Sequence, residues 1–196
     1  MSFAITELAG KFAGIIVALA YIPYIVAILR RKTSPNRASW FIWTLTNFLI
    51  LGSYYLSGAK STVWLPLAFV VGSSMIAILS VWFGEGGWTL LDRFCLIVVG
   101  IDIVLWFLLK TPQAVLLVGI LNSLLGTLPT IKKSYLRPQT ESKLAWGMYF
   151  IGSIANIIAI DNWNFSIAMY PVSIFFEVGI IVFLLFLCPN RRMAKS

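Results

Sequence analysis

Histidine is absent from this 196-residue chain, and cysteine occurs only at Cys95 and Cys188. Histidine-based catalysis, a metal centre of histidine and cysteine, and a disulfide framework are therefore nearly excluded. An enzyme that acts on lipid inside the membrane would need a converging acid, base or nucleophile, and the sequence offers only a weak case for one. We expect no metal, no cofactor and no enzymatic activity.

Charged residues are also scarce. They make up 11% of the chain against 60% hydrophobic residues, whereas soluble domains carry about 25% charged residues. The net charge is +8, but the basic residues stand in short clusters between apolar runs and not on a soluble face, so we expect no nucleic-acid partner. The composition predicts an all-α integral membrane protein that contacts the lipid bilayer.

Seven apolar stretches approach the length of about 20 residues that a membrane-spanning helix needs. Short breaks rich in glycine, proline, serine and asparagine separate them, and these loops are too short to fold separately. We therefore expect a single transmembrane domain over residues 1–196. The predicted spans are Leu8–Leu29, Ala38–Leu56, Val63–Phe83, Leu90–Leu109, Gln113–Ile131, Leu144–Ile160 and Ser166–Leu187.

Lysine and arginine are unevenly divided between the two ends of this predicted bundle. Because cytoplasmic loops carry the excess of basic residues, we expect an N-terminus outside, a cytosolic C-terminus, and both cysteines near the reducing side. The minimal loops favour a prokaryotic cytoplasmic membrane. The basic end would hold Arg30, Arg31, Lys32, Arg37, Arg93, Lys132, Lys133, Arg137, Lys143, Arg191, Arg192 and Lys195, and the other end Lys11, Lys60 and Lys110.

An internal near-repeat gives the strongest clue to architecture. Shifting the chain by 106 positions places Pro23 on Pro129, Arg31 on Arg137, and Trp40 on Trp146. The repeat predicts two three-helix units, residues 8–83 and 113–187, joined by a linker helix at 90–109. A single linking span makes both units enter the bilayer from the same side, as in transporters built from parallel repeats.

The predicted chain has three spans, one linking span and three further spans, a 3+1+3 arrangement. Spans one and five each carry a proline near the end, followed by a basic turn and a next span whose start contains serine and tryptophan. This pattern resembles the PQ-loop superfamily. That superfamily includes the SWEET sugar transporters and the cystinosin-like lysosomal exporters. The chain looks like a divergent member, with Pro23-Tyr24 and Pro129-Thr130 in place of the Pro-Gln pairs. The resemblance implies a solute transporter with an external N-terminus and a cytosolic C-terminus.

Two acids fall inside predicted spans, where an ionisable group is costly and often functional. Glu177 lies midway along span seven, and Asp102 lies past the middle of span four. Either carboxyl group could bind a cationic or hydroxyl-bearing solute or take up a proton. The alternative is a buried acid that only bonds a neighbouring helix.

Polar and aromatic residues in the other spans could complete a pocket, although many such groups serve only helix packing. Trp40 and Trp146 are interpreted as members of an interfacial aromatic belt. Trp43 and its repeat counterpart Tyr149 lie one turn deeper and are better placed to hold a solute. The candidates for solute binding, besides Glu177, are Trp43, Tyr149, Asn47, Asn122, Asn156, Ser73 and Ser74.

The leading hypothesis is a transporter of a small polar solute that works by alternating access, with proton coupling as an option. Pro23 and Pro129 would be matched hinges, because proline removes a backbone donor and can kink a helix. The alternative is a seven-helix receptor that binds a ligand without moving it, with the basic loops at 30–37 and 132–143 as its docking surface. The sequence leaves open whether the protein forms a homo-oligomer.

Overall fold

The computed structural model describes residues 3–86, 90–109 and 111–187. The predictions made for Lys110, for Cys188 and for the basic residues after Cys188 concern residues outside this range. Those for Cys95 and Asp102 concern side chains that the structure does not describe. The described residues form seven α-helices: α1 Phe3–Leu29, α2 Arg37–Leu56, α3 Trp64–Phe83, α4 Leu90–Leu109, α5 Pro112–Leu136, α6 Lys143–Ile158 and α7 Phe165–Leu187. The all-α prediction is confirmed for this part of the chain.

Helix boundaries follow from local capping chemistry. The side chain of Asn36 accepts a hydrogen bond from the backbone amide of Ser39 at the start of α2, at 3.0 Å. Ser142 does the same for Ala145 at the start of α6, at 3.4 Å. Both types of residue are favoured at this position because their oxygens satisfy amides that have no partner within the helix. The two caps lie at the same 106-residue offset as the sequence repeat.

The end of α1 is closed by a Schellman motif. The amide of Lys32 donates to the carbonyl of Ala27, and the amide of Arg31 donates to that of Ile28. Arg31 has a φ of 54°, the left-handed conformation that this motif requires. The chain therefore turns sharply from α1 into the basic loop that leads to α2.

Four of the described helical segments are long and apolar enough to cross a membrane: Ala4–Leu29, Ser61–Phe83, Pro112–Leu136 and Phe165–Leu187. The other three helices do not meet both conditions. Helix α6 has 16 residues and is about 24 Å long, short of a hydrocarbon core of about 30 Å. The prediction of seven spans is therefore only partly supported, while the four apolar helices indicate a membrane protein.

The exposed surface is apolar along the helices. Large apolar side chains such as Leu8, Ile15, Val71, Ile78 and Phe183 are between 53% and 70% exposed. Large continuous apolar surfaces are rare on soluble proteins and indicate burial in another apolar medium. This surface agrees with a bundle surrounded by lipid.

Helices α1–α3 form one group in the sequence and α5–α7 a second, with α4 between them. Helix α3 contacts both α1 and α2, and α7 contacts both α5 and α6. The two groups meet where α1 packs on α6 and α2 packs on α5, while α4 lies along α2 and α5. The candidate site lies where these groups meet.

Small residues allow close approach of the helices. A Cβ atom added at Gly10 of α1 would lie 1.7 Å from the carbonyl oxygen of Ser61, and one at Gly72 of α3 would lie 1.9 Å from the Tyr21 ring. Membrane helices commonly use glycine in this way, since packing replaces the hydrophobic effect between them.

Candidate functional site

A cavity of about 40 Å³ lies between the helices of the bundle. It exceeds the roughly 10–15 Å³ that one buried water needs, so it has room for several waters or a compact chemical group. Six of the seven described α-helices contribute to it, and α4 does not. Its lining consists of Tyr21, Trp40, Trp43, Asn47, Phe69, Ser73, Ser123, Thr127, Trp146, Tyr149, Ile174, Glu177, Val178 and Ile181.

Glu177 of α7 supplies the acidic group of the cavity and is 5% exposed. Its Oε2 accepts hydrogen bonds from the hydroxyls of Ser123 and Thr127, both at 2.9 Å. Its Oε1 is buried and has no hydrogen-bond partner among the residues that the structure describes. Buried carboxyl oxygens are normally satisfied, so Oε1 is an acceptor available to a bound group.

Aromatic rings form much of the remaining wall. The centroids of Trp40 and Trp43 are 5.2 Å apart with planes at 90°, and those of Trp43 and Trp146 are 6.3 Å apart at 68°. Tyr149 lies 5.5 Å from Trp146 at 83° and 5.2 Å from Tyr21 at 58°. Edge-to-face packing is the preferred geometry of aromatic pairs, and here it arranges five rings around one small volume.

Asn47 and Ser73 add a neutral polar pair. The amide nitrogen of Asn47 on α2 lies 3.3 Å from the hydroxyl of Ser73 on α3, and both side chains are buried. This bond links two helices of one group and places an amide and a hydroxyl in the same cavity as Glu177.

The structure brings five of the predicted solute-binding residues together, namely Glu177, Trp43, Tyr149, Asn47 and Ser73. Three others do not line the cavity. Ser74 bonds the carbonyl of Val70 at 2.7 Å, within its own helix. Asn122 donates to Thr46 at 2.7 Å and so joins α5 to α2, and Asn156 is fully buried with no hydrogen-bond partner for its amide group.

Trp40 and Trp146 are not the interfacial belt that their positions near helix starts suggested. Each is only 4% exposed and lines the cavity, because the helices are rotated to point both indoles inward. The sequence reasoning also missed Tyr21, Ser123 and Thr127. Ser123 and Thr127 are four residues apart and therefore share one helix face. This spacing indicates a site only once the structure shows that Glu177 faces both residues.

A buried polar network closes the bundle at the end that holds the basic loops. Lys133 of α5 forms an ion pair with Glu141, and their side chains are 4% and 1% exposed. The Nζ of Lys133 also donates to the carbonyl of Ser34 in the loop between α1 and α2. The Oε2 of Glu141 accepts hydrogen bonds from the Tyr24 hydroxyl at 3.1 Å and from the Trp146 indole at 2.9 Å.

The network extends to the loop after α3. Glu85 accepts two bonds from Arg137, at 3.0 and 3.2 Å, and its backbone pairs with the backbone of Pro35 and Arg37. Three loops are thereby tied together above the cavity.

The opposite end is closed by tyrosines. The hydroxyl of Tyr54 lies 2.7 Å from both the Thr62 hydroxyl and the carbonyl of Ile167. Its ring packs against that of Tyr170 at 5.3 Å, and both tyrosines are fully buried. Buried polar contacts therefore join different helices or loops at both ends of the bundle.

Within the described residues, no three histidine, cysteine, aspartate or glutamate side chains cluster closely enough to hold a metal ion. Comparisons with protein-family models, with curated proteins and with solved structures give no match for this chain.

Proposed function

We propose that this protein is a membrane transporter for a small polar solute, with the cavity around Glu177 as its binding site. The observation that carries the proposal is the Oε1 of Glu177, which is buried without a partner among the described residues, in a cavity between two groups of three helices. A buried acid in a membrane protein is costly, and a solute that bonds it would offset that cost.

The helix packing supports a transporter built from two parallel repeats. Under the 106-residue shift, α1 corresponds to α5, α2 to α6, and α3 to α7. The contact of α1 with α6 then corresponds to that of α5 with α2, and the contacts of α3 correspond to those of α7. This pseudo-symmetry is expected for the 3+1+3 arrangement, in which the solute site lies between the repeats.

The two closures support alternating access. The network around Lys133 and Glu141 bridges loops of both groups, and the Tyr54 contact to Ile167 bridges α2 and α7. Opening one closure while the other stays intact would expose the cavity to one side at a time. Pro23 and Pro129 lie inside α1 and α5, before their ends, and are proposed as matched hinges for this motion.

We place the N-terminus outside and the C-terminus in the cytosol of a prokaryotic cytoplasmic membrane. The support is the cluster of basic residues in the loops next to the Lys133 closure. Glu177 is also our candidate for proton coupling, because its free oxygen can hold a proton or a solute.

The first test is thermal unfolding of the purified protein in detergent against sugars, neutral and cationic amino acids, vitamins and polyamines. A ligand at a hundred times its dissociation constant should add about 2.7 kcal/mol of stability. A hit is then tested for uptake into proteoliposomes. Binding without uptake would favour a receptor over a transporter.

We expect Glu177→Gln to reduce uptake of that solute by at least about tenfold, which corresponds to about 1.4 kcal/mol. Glutamine keeps the shape of the side chain but removes its negative charge. The matched control is Glu7→Gln, which affects an exposed acid paired with Lys11 at 2.7 Å and should leave uptake unchanged. Equal uptake by both variants, with the same pH profile, would contradict a role for Glu177.

A further inference from the structure

We propose that the solute is an organic cation, bound by its ammonium group between Glu177 and the aromatic wall. This inference rests on the proposed function and goes beyond it by naming the chemical class that the cavity selects.

The first argument is the charge of the cavity. Glu177 is its acidic lining residue, and neither lysine nor arginine lines it. The ion pairs formed by the described residues use Glu7, Glu85 and Glu141 and leave Glu177 without a basic partner. A buried carboxylate without a counter-ion is strongly unfavourable. A cationic solute would supply the missing charge, whereas an anionic solute would meet repulsion.

The second argument is the hydrogen bonding of the carboxyl group. Ser123 and Thr127 both donate to Oε2, and Oε1 has no donor. The hydroxyl of Thr127 has one hydrogen, which it can donate instead to the carbonyl oxygen of Ser123 at 2.9 Å. Oε1 is therefore the acceptor without a donor among the described residues. A charged N–H group is the donor that would bind it most strongly, and a quaternary ammonium group would be attracted to it by charge alone.

The third argument is the aromatic wall. Tyr21, Trp40, Trp43, Trp146 and Tyr149 line the cavity together with Glu177, and neighbouring rings meet at steep angles. Aromatic cages of this composition bind ammonium groups through cation–π attraction, which is strongest for tryptophan. Neutral hydrogen-bonding groups in the lining are fewer than its rings and apolar side chains together: the Asn47 amide and the hydroxyls of Ser73, Ser123, Thr127, Tyr21 and Tyr149. Two of these hydroxyls, on Ser123 and Thr127, already donate to Glu177.

The fourth argument is size. A cavity of about 40 Å³ accommodates a compact ammonium head group more readily than a hexose. The rest of a longer cation would extend toward one end once a closure opens.

The test uses a matched pair of probes, choline and its uncharged isostere 3,3-dimethylbutan-1-ol, with glucose as a neutral hydroxylated probe. Binding to the full-length protein in detergent is measured by isothermal titration calorimetry, and uptake is measured in proteoliposomes. We expect choline to bind at least about tenfold more tightly than its isostere, because a desolvated cation–π contact contributes about that much. In Glu177→Gln this preference should fall by at least about threefold, because the negative charge is lost while the aromatic rings remain.

A second variant keeps the test informative if Glu177→Gln does not fold. Trp43→Leu should weaken choline binding at least about fivefold while leaving binding of the isostere within about twofold, and Trp43→Phe should restore part of the loss. Trp163→Leu is the control, since Trp163 is 67% exposed and lies outside the cavity.

The outcomes separate the two proposals. Equal binding of choline and its isostere, or tighter binding of glucose, would overturn the cation assignment. If glucose were also taken up, the transporter proposal would still hold. Choline binding that requires Glu177 but produces no uptake would support the cation site and overturn transport. No binding of any cation by folded protein would overturn the inference.

Discussion

Two buried glutamates of this chain have opposite surroundings. Glu141 is satisfied by Lys133 on one oxygen and by Tyr24 and Trp146 on the other. Glu177 is satisfied on Oε2 alone. A fully bonded charge stabilises a particular arrangement of loops, whereas a half-bonded one leaves room for a ligand. The contrast agrees with a structural role for Glu141 and with the proposed solute-binding role of Glu177.

Replacing Lys133 with methionine should destabilise the protein by about 3–5 kcal/mol, because it leaves Glu141 as a buried charge without its partner. The measurement is thermal or denaturant unfolding in detergent. The control is Lys11→Met, which breaks a pair whose side chains are 47% and 40% exposed and should cost at most about 1 kcal/mol.

A double variant tests whether charge pairing causes that loss. Lys133→Met combined with Glu141→Leu removes both charges, so its cost should be well below the sum of the two single changes. Strictly additive losses would show that the ion pair is not the cause.

At the scale of helices, glycine positions set how closely α1 and α3 approach. The open side of Gly10 faces the carbonyl oxygen of Ser61, and this backbone oxygen cannot rotate away as a side chain could. The start of α3 is thereby held against α1. A methyl group at this point must push the two elements apart.

We expect Gly10→Ala to lower stability by about 1–3 kcal/mol through this overpacking. The control is Gly147→Ala in α6, where an added Cβ meets nothing within 4 Å and the higher helix propensity of alanine should stabilise by up to about 1 kcal/mol. Unfolding midpoints of both variants in one detergent provide the measurement. Equal shifts would contradict the close contact at Gly10.

At the scale of the whole molecule, the charges of the loops support the proposed orientation in the membrane. The loop after α1 carries Arg30, Arg31 and Lys32, and the loop after α2 carries Lys60. Because α1 and α2 are consecutive helices that lead to opposite ends of the bundle, these loops should face opposite sides of the membrane.

Cysteine labelling tests this orientation in intact cells. In a background with Cys95→Ser and Cys188→Ser, Lys60→Cys should react with a membrane-impermeant maleimide, while Lys32→Cys should react only after permeabilisation. The reverse pattern would place the N-terminus in the cytosol. Labelling of both from outside would contradict the spanning arrangement of α2.

Much of the secondary structure was predictable from local signals. Helices α2, α4 and α7 begin and end within one residue of the predicted spans. Helix α5 continues five residues beyond the predicted end at Ile131, with Pro129 inside it, because proline kinks a helix without always ending it. Helix α1 begins at Phe3, five residues before the predicted Leu8.

The membership of the site was less predictable. Glu177 was recognisable because an acid in a long apolar run is rare, and Trp43 because it lies three residues from Trp40 on one face. Asn122 and Asn156 looked equally suitable, yet neither lines the cavity. Asn122 instead bonds Thr46 across the interface of α5 and α2, a partner 76 residues away that no local pattern reveals.

The sequence by itself determined that the chain is helical and apolar, because composition and the length of apolar runs are properties of neighbouring residues. Only the tertiary structure decided that Trp40 and Trp146 point inward, that Lys133 pairs with Glu141, and that one oxygen of Glu177 stays free. The physical reason is that lipid is as apolar as the interior of the bundle. A helix surrounded by apolar groups on all sides carries little amphipathic signal, so its rotation is set by packing against distant parts of the chain.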